Sequence, residues 1–100
     1  MKKQLFAAAI AALACVAAQA DTIAKVKNSG TITMGVRDSS GALSYTLGDG
    51  KYAGFHYEIC QRIIGNLEKA VGKKVEVKFQ SVTSQNRIPL VQNGTVDIEC

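Results

Sequence analysis

Two arginines stand where an anionic ligand could be held. Arg37 opens the turn-rich stretch Arg37-Asp38-Ser39-Ser40-Gly41, directly behind the alternating, β-branched run Thr31 to Val36. Arg87 lies in Thr83-Ser84-Gln85-Asn86-Arg87-Ile88-Pro89-Leu90, behind a second alternating run, Val75 to Phe79. A guanidinium is planar and permanently charged, and it offers parallel donors that match a carboxylate with two hydrogen bonds. Ser84, three residues before Arg87, can cap a helix or donate to the same anion. The start of a helix adds free N–H groups and the positive end of the dipole. Taken singly, each arginine fits the plainer role of a solvated charge, and Ser84 that of a helix cap. Taken together at neighbouring strand ends, they fit a ligand with two carboxylates.

Other side chains offer less. His56 is the only histidine. No cysteine or carboxylate set accompanies it at metal-ligand spacing, so it reads as a polar residue at a helix start, and neither a metal nor another cofactor is expected. Ser39, Ser40 and Tyr45 are candidates for a pocket wall. Tyrosines in hairpins, Tyr45 and Tyr52 among them, ordinarily pack on cross-strand neighbours. No nucleophile–base pair, phosphate-binding loop or pair of catalytic carboxylates can be picked out, so the chain is not expected to be an enzyme. Asn93-Gly94-Thr95 matches a glycosylation sequon, which is weak evidence on its own.

The elements that must position these residues follow from periodicity and breakers. Thr22 can cap a short helix through Lys27 or Asn28, with Gly30 as its stop. Thr31 to Val36 is a strand, and Gly48-Asp49-Gly50 sits at the turn of a hairpin or tight loop. From Tyr57 the period becomes helical. Ile59, Cys60, Ile63, Ile64, Leu67 and Val71 fall on one face, which is expected to be buried, and Gly72 ends the helix. Val75 to Phe79 is a second main strand. Pro89 is tolerated only in a first turn, so the next helix starts near Ser84 to Asn86, and Gly94 ends it. Val96 to Glu99 is a third strand. Strands separated by helices predict an α/β fold, a mostly parallel sheet with helical crossovers. Ligands of such sheets bind outside the carboxyl ends of the strands, and both arginine loops leave such ends.

The bulk properties narrow the class. Lys2 and Lys3, the uncharged run Leu5 to Val16 and Ala18-Gln19-Ala20 read as a signal peptide over residues 1–20. The run is short of the roughly 20 apolar residues that span a bilayer. A competing reading makes Cys15, in Ala12-Leu13-Ala14-Cys15, a lipidated cysteine, although such a box usually begins with Leu. Without Lys2 and Lys3 the remainder has 10 basic and 8 acidic residues, a net +2, with no basic block of the kind that nucleic-acid binders use. Export permits a disulfide for Cys60 and Cys100. Cys60 also suits a helix core, and sequence alone does not fix the pairing. The chain stops inside the third strand, so residues 21–100 are expected to be the front part of a longer protein.

The stretch "TSQNRIPLVQNGTVDIEC" (83–100), with "TITMGVR" and "GFHYEICQRI", resembles the periplasmic solute-binding proteins of ABC transporters. The resemblance is to the polar amino-acid cluster, and the last stretch is especially close to glutamate/aspartate-binding members. It spans Ile23 to Cys100 and is looser outside the last stretch. Gly54, Phe55 and Glu58 match the family signature, while His56 and Tyr57 depart from it. Ala42-Leu43 stands where Pro-Phe is common, which weakens the case for an aromatic pocket wall there. The resemblance implies a monomeric, two-lobed periplasmic protein that closes on its ligand by hinge motion and docks on a membrane permease. Residues 21–100 would be the first, incomplete part of lobe one. By the family pattern Arg87 would hold the ligand α-carboxylate, helped by Ser84, and Arg37 the side-chain carboxylate. An acid for the ammonium group would come from beyond Cys100. Cys100 matches a family cysteine whose partner stays open. Glutamate, aspartate and glutamine are not separated. Two other classes share the fold: a dehydratase-like periplasmic enzyme, and the extracellular sensor domain of a receptor, which requires a transmembrane helix downstream.

Overall fold

The computed structural model describes residues 21–100. The expected signal peptide over 1–20, and Cys15 within it, lie outside the described residues.

Helix α1 (Thr22–Ser29) is capped by Asp21, whose carboxylate accepts a bond from the Ala24 N–H at 2.9 Å. Asp21 and Thr22 are both capping types, and the cap falls one residue before the Thr22 expected from the sequence. Gly30 ends the helix in a left-handed conformation, its N–H donating to the Val26 carbonyl. Strand β1 (Thr31–Val36) follows, then a single 3₁₀ turn (Gly41–Leu43) and a hairpin of β2 (Tyr45–Gly48) and β3 (Lys51–Ala53). Helix α2 (Phe55–Val71) begins two residues before Tyr57, at the change of period. Strand β4 (Glu76–Ser81), the short helix α3 (Arg87–Gln92) and strand β5 (Ile98–Glu99) complete the order.

The main sheet is three-stranded and wholly parallel, in the order β4-β1-β5. Thr31 to Val36 pair in register with Glu76 to Ser81, and Met34 and Gly35 pair with Ile98 and Glu99. The hairpin is a separate two-stranded antiparallel sheet. Central β1 carries the core residues Ile32, Met34 and Val36, as a strand enclosed on both sides must. Helix α1 adds Val26, helix α2 adds Cys60, Ile64 and Val71, and Val75 closes the cluster. Burial of each aliphatic side chain stabilises the fold by about 1.5–3 kcal/mol.

The apolar face of α2 is wider than its contacts. Cys60, Ile64 and Val71 are buried and Leu67 packs partly, but Ile59 and Ile63 are 39% and 46% exposed. The expected burial of those two is therefore corrected: α2 packs on this sheet through a narrower stripe than the periodicity suggests. Cys60 is fully buried and forms a disulfide with Cys100, their Cα atoms 6.3 Å apart. The sequence left Cys60 between core residue and half-cystine, and it is both. At the opposite end of the short strand, Asp97 joins three elements. One oxygen accepts from Lys25 Nζ of α1 at 2.7 Å and the other from the Thr33 N–H of β1 at 2.9 Å.

Candidate functional site

The carboxyl ends of β1 and β5, with the start of α3, face one cavity of about 220 Å³. Arg37 follows the last residue of β1, Arg87 opens α3, and Glu99 ends β5. All three line the cavity. Ser40, Ser44 and His56 contribute to its wall, with Leu43 and Cys100 completing it.

Arg37 is held from its backbone outward. Ser44, only 1% exposed, accepts a bond from the Arg37 N–H at 3.1 Å and donates to the Arg37 carbonyl at 2.8 Å. This two-way bond fixes where the arginine leaves the strand. The Arg37 guanidinium then donates from Nη2 to the Ser84 hydroxyl at 2.9 Å. The adjacent Asp38 carboxylate points elsewhere and accepts from Ser81 Oγ at 3.0 Å. Asp38 therefore secures the start of the loop to the end of β4 and leaves the Arg37 charge available. Burial first, and the Asp38 carboxylate second, push the Tyr52 phenol above its ordinary pKa, so this neighbour stays neutral at physiological pH.

Ser84 does not cap α3. Thr83 and Asn86 do the local work: the Thr83 N–H donates to Asn86 Oδ1 at 2.7 Å, and the Asn86 N–H donates to Thr83 Oγ1 at 3.2 Å. That reciprocal pair closes the turn before the helix and leaves the Ser84 hydroxyl to reach across to Arg37. The Ser84 hydroxyl meets the Arg37 guanidinium, while Arg87 turns to a different partner. Asn86 occupies the cap position of α3, so Pro89 falls in the first turn, as its missing N–H requires. Arg87 Nη1 lies 3.4 Å from Glu99 Oε2. The arginine has no acidic neighbour in sequence and finds one twelve residues on, through the sheet.

Of the residues expected on the pocket wall, Ser40 lines the cavity. Ser39 and Tyr45 instead form an antiparallel backbone bridge at the foot of the hairpin, and neither is among the residues lining the cavity. Sequence reasoning missed Ser44, Glu99 and the contribution of His56. Glu99 was within reach, because the rule that singled out the ends of the first two strands applies equally to the third. Ser44 carried no such signal, since its role depends on how the loop folds back. Among the described residues no group of three or more His, Cys, Asp or Glu is placed to hold a metal ion. None of their helices is long and apolar enough to cross a membrane.

Residues 32–100 match the model of the bacterial extracellular solute-binding proteins, family 3. The chain is 46% identical over 82 residues to the L-glutamate/L-aspartate-binding protein of Pseudomonas aeruginosa, covering 79% of this chain and 27% of that protein. It is 41% identical over 105 residues to the glutamate/aspartate import solute-binding protein of Escherichia coli strain K12, covering 94% of this chain and 35% of that one. Among solved structures, an ancestral amino acid-binding protein described as a precursor of cyclohexadienyl dehydratase superposes with a TM-score of 0.65 at 25% identity, covering 77% of this chain and 32% of the other. The chain thus spans between about a quarter and a third of the length of the proteins it matches. The match over residues 32–100 and the identity to these relatives, with the parallel α/β sheet, place the chain in the bacterial extracellular solute-binding proteins, family 3.

Proposed function

We propose that this chain supplies the carboxylate-binding wall of a periplasmic protein that captures an acidic amino acid, glutamate or aspartate, for delivery to the permease of an ABC transporter. The observation that carries the reading is the convergence of Arg37 and Arg87 on one cavity at the carboxyl edge of the sheet. Two guanidinium groups answer two carboxylates. In this reading Arg87 takes the α-carboxylate. Arg37, with Ser84 bonded to it, takes the side-chain carboxylate. Relatives named for glutamate and aspartate binding support the ligand class. The function is capture without chemical change: a second lobe closes over the ligand, and closure is driven by the ligand's preference for the closed form.

Isothermal titration of the full-length protein with L-glutamate and L-aspartate tests this. Arg37→Ala and Arg87→Ala are each expected to weaken binding by about tenfold or more, the usual worth of a charged hydrogen-bonding partner. Unchanged affinity for both amino acids in Arg87→Ala would refute the assignment. The likeness to a precursor of a dehydratase raises an enzyme of the same fold as a second reading. Recovery of unaltered ligand after prolonged incubation decides for capture, and its conversion decides for turnover.

A further inference from the structure

We infer that Glu99 is a positioning residue for Arg87: its carboxylate holds one end of the guanidinium, so that the edge left free faces the cavity in one orientation, ready for the α-carboxylate. The inference rests on the proposed function above and deepens it, by assigning a part to a residue that acts on the ligand only through its neighbour.

The unequal support of the two arginines is the first observation. Arg37 has its backbone bonded in both directions to Ser44, and its guanidinium is bonded to Ser84. Arg87 opens α3, a helix of six residues with none buried, and its side chain is 43% exposed. Among the described residues the Arg87 side chain has one hydrogen-bond partner, Glu99. An arginine left mobile before binding has to be ordered on binding, at the expense of affinity.

The second observation is which member of the pair is fixed. Glu99 belongs to the sheet, in register with Gly35, and its side chain is 16% exposed. A Cβ at position 35 would lie 3.2 Å from Glu99 Cγ, so the absent side chain leaves room for the Glu99 stem against β1. The residues near it in sequence are tied down as well. Asp97 bonds to Lys25 and Thr33, and Cys100 is joined to Cys60. A carboxylate held by the sheet therefore orients a guanidinium carried by a loosely held helix, and not the reverse.

The third observation is which donor is used. A guanidinium has five N–H donors. Glu99 Oε2 meets Nη1, at 3.4 Å. That leaves the edge formed by Nε and Nη2, whose parallel N–H bonds match a carboxylate. The contact is single, and longer than the roughly 2.7–2.9 Å of a well-made charge-assisted pair. It steers the arginine without occupying its fork, whereas a short two-bond pair would compete with the ligand.

Isothermal titration of L-glutamate on the full-length protein tests this as a double-mutant cycle. Glu99→Gln keeps the shape and removes the charge. It is expected to lower affinity about fivefold. In an Arg87→Ala background the same change is expected to have little effect, because nothing is left to position. In an Arg37→Ala background its full effect is expected to remain. Glu99→Asp, which keeps the charge and shortens the reach, is expected to recover part of the loss. Thermal melting verifies that each variant folds. An equal loss from Glu99→Gln with and without Arg87 would mean that Glu99 acts on the ligand or on the fold, and would overturn the inference. A rise in affinity would mean that Glu99 competes with the ligand for Arg87, and would overturn it too. NMR relaxation of the Arg87 Nε–H group in the ligand-free protein supplies a readout of orientation itself. A restrained group in wild type that loosens in Glu99→Gln is expected, and a freely mobile group in wild type overturns the inference without any variant. A wild type that binds neither L-glutamate nor L-aspartate overturns the proposed function and the inference together.

Discussion

At the scale of single residues, the site depends on groups that never need touch a ligand. Ser44 is the clearest. Its buried hydroxyl both accepts from and donates to the backbone of Arg37, so it spends its capacity on one neighbour. Ser44→Ala would leave the Arg37 N–H and carbonyl short of a partner where water has little access. The expected cost is about 1–3 kcal/mol of stability, measured by urea denaturation. Because the guanidinium itself remains, ligand affinity is expected to fall less than in Arg37→Ala. A variant as stable as wild type would show that this bond is replaceable by water. Ser84 shows the converse. Its type and place fit a helix cap, yet Thr83 and Asn86 close the turn and Ser84 accepts a bond from the Arg37 guanidinium.

At the scale of elements, the sheet explains both what could be read in advance and what could not. Alternation revealed β1 and β4, helical spacing revealed α2, and Pro89 placed the start of α3, because each is a local property of the chain. The carboxyl-edge rule then located Arg37 and Arg87. The Arg87–Glu99 and Arg37–Ser84 contacts stayed hidden because they arise from strand order, and strand order is decided by long-range packing. The exposure of Ile59 and Ile63 has the same origin, since periodicity gives a helix its apolar face but not the width of what covers it. Gly35 shows how sensitive the arrangement is. A Cβ there would meet Val96 Cγ1 at 3.0 Å and the Val82 Cγ1 and Glu99 Cγ atoms at 3.2 Å. Gly35→Ala is therefore expected to cost about 1–3 kcal/mol by overpacking. It should also shift Glu99, the partner of Arg87, and weaken L-glutamate binding. Denaturation together with isothermal titration of L-glutamate measures both effects, and a stable variant with unchanged affinity would show that Val82, Val96 and Glu99 yield without consequence.

At the scale of the molecule, the question is what keeps a two-residue strand in place beside the site. Strand β5 pairs with β1 through Met34↔Ile98 and Gly35↔Glu99 alone. Two anchors hold its ends. Asp97 ties the entry to α1 and β1, and the Cys60–Cys100 disulfide ties the exit to the buried face of α2, closing a loop across a separation of 40 residues. Glu99 lies between these anchors, so the acidic group of the cavity is positioned from both sides. On the chain-entropy account a cross-link over a loop of that length stabilises by about 4 kcal/mol, and measured values run about 2–4. A small core makes that contribution large, because small units bury proportionally less surface. The double variant Cys60→Ser, Cys100→Ser in the full-length protein is expected to lose about 2–4 kcal/mol in chemical denaturation. It is also expected to bind L-glutamate more weakly, since the end of β5 is freed next to the cavity. Reduction of the wild type under non-denaturing conditions should reproduce both changes. If stability falls and affinity does not, the disulfide supports the fold alone, and Asp97 with the β1 pairing suffices to hold Glu99 in place.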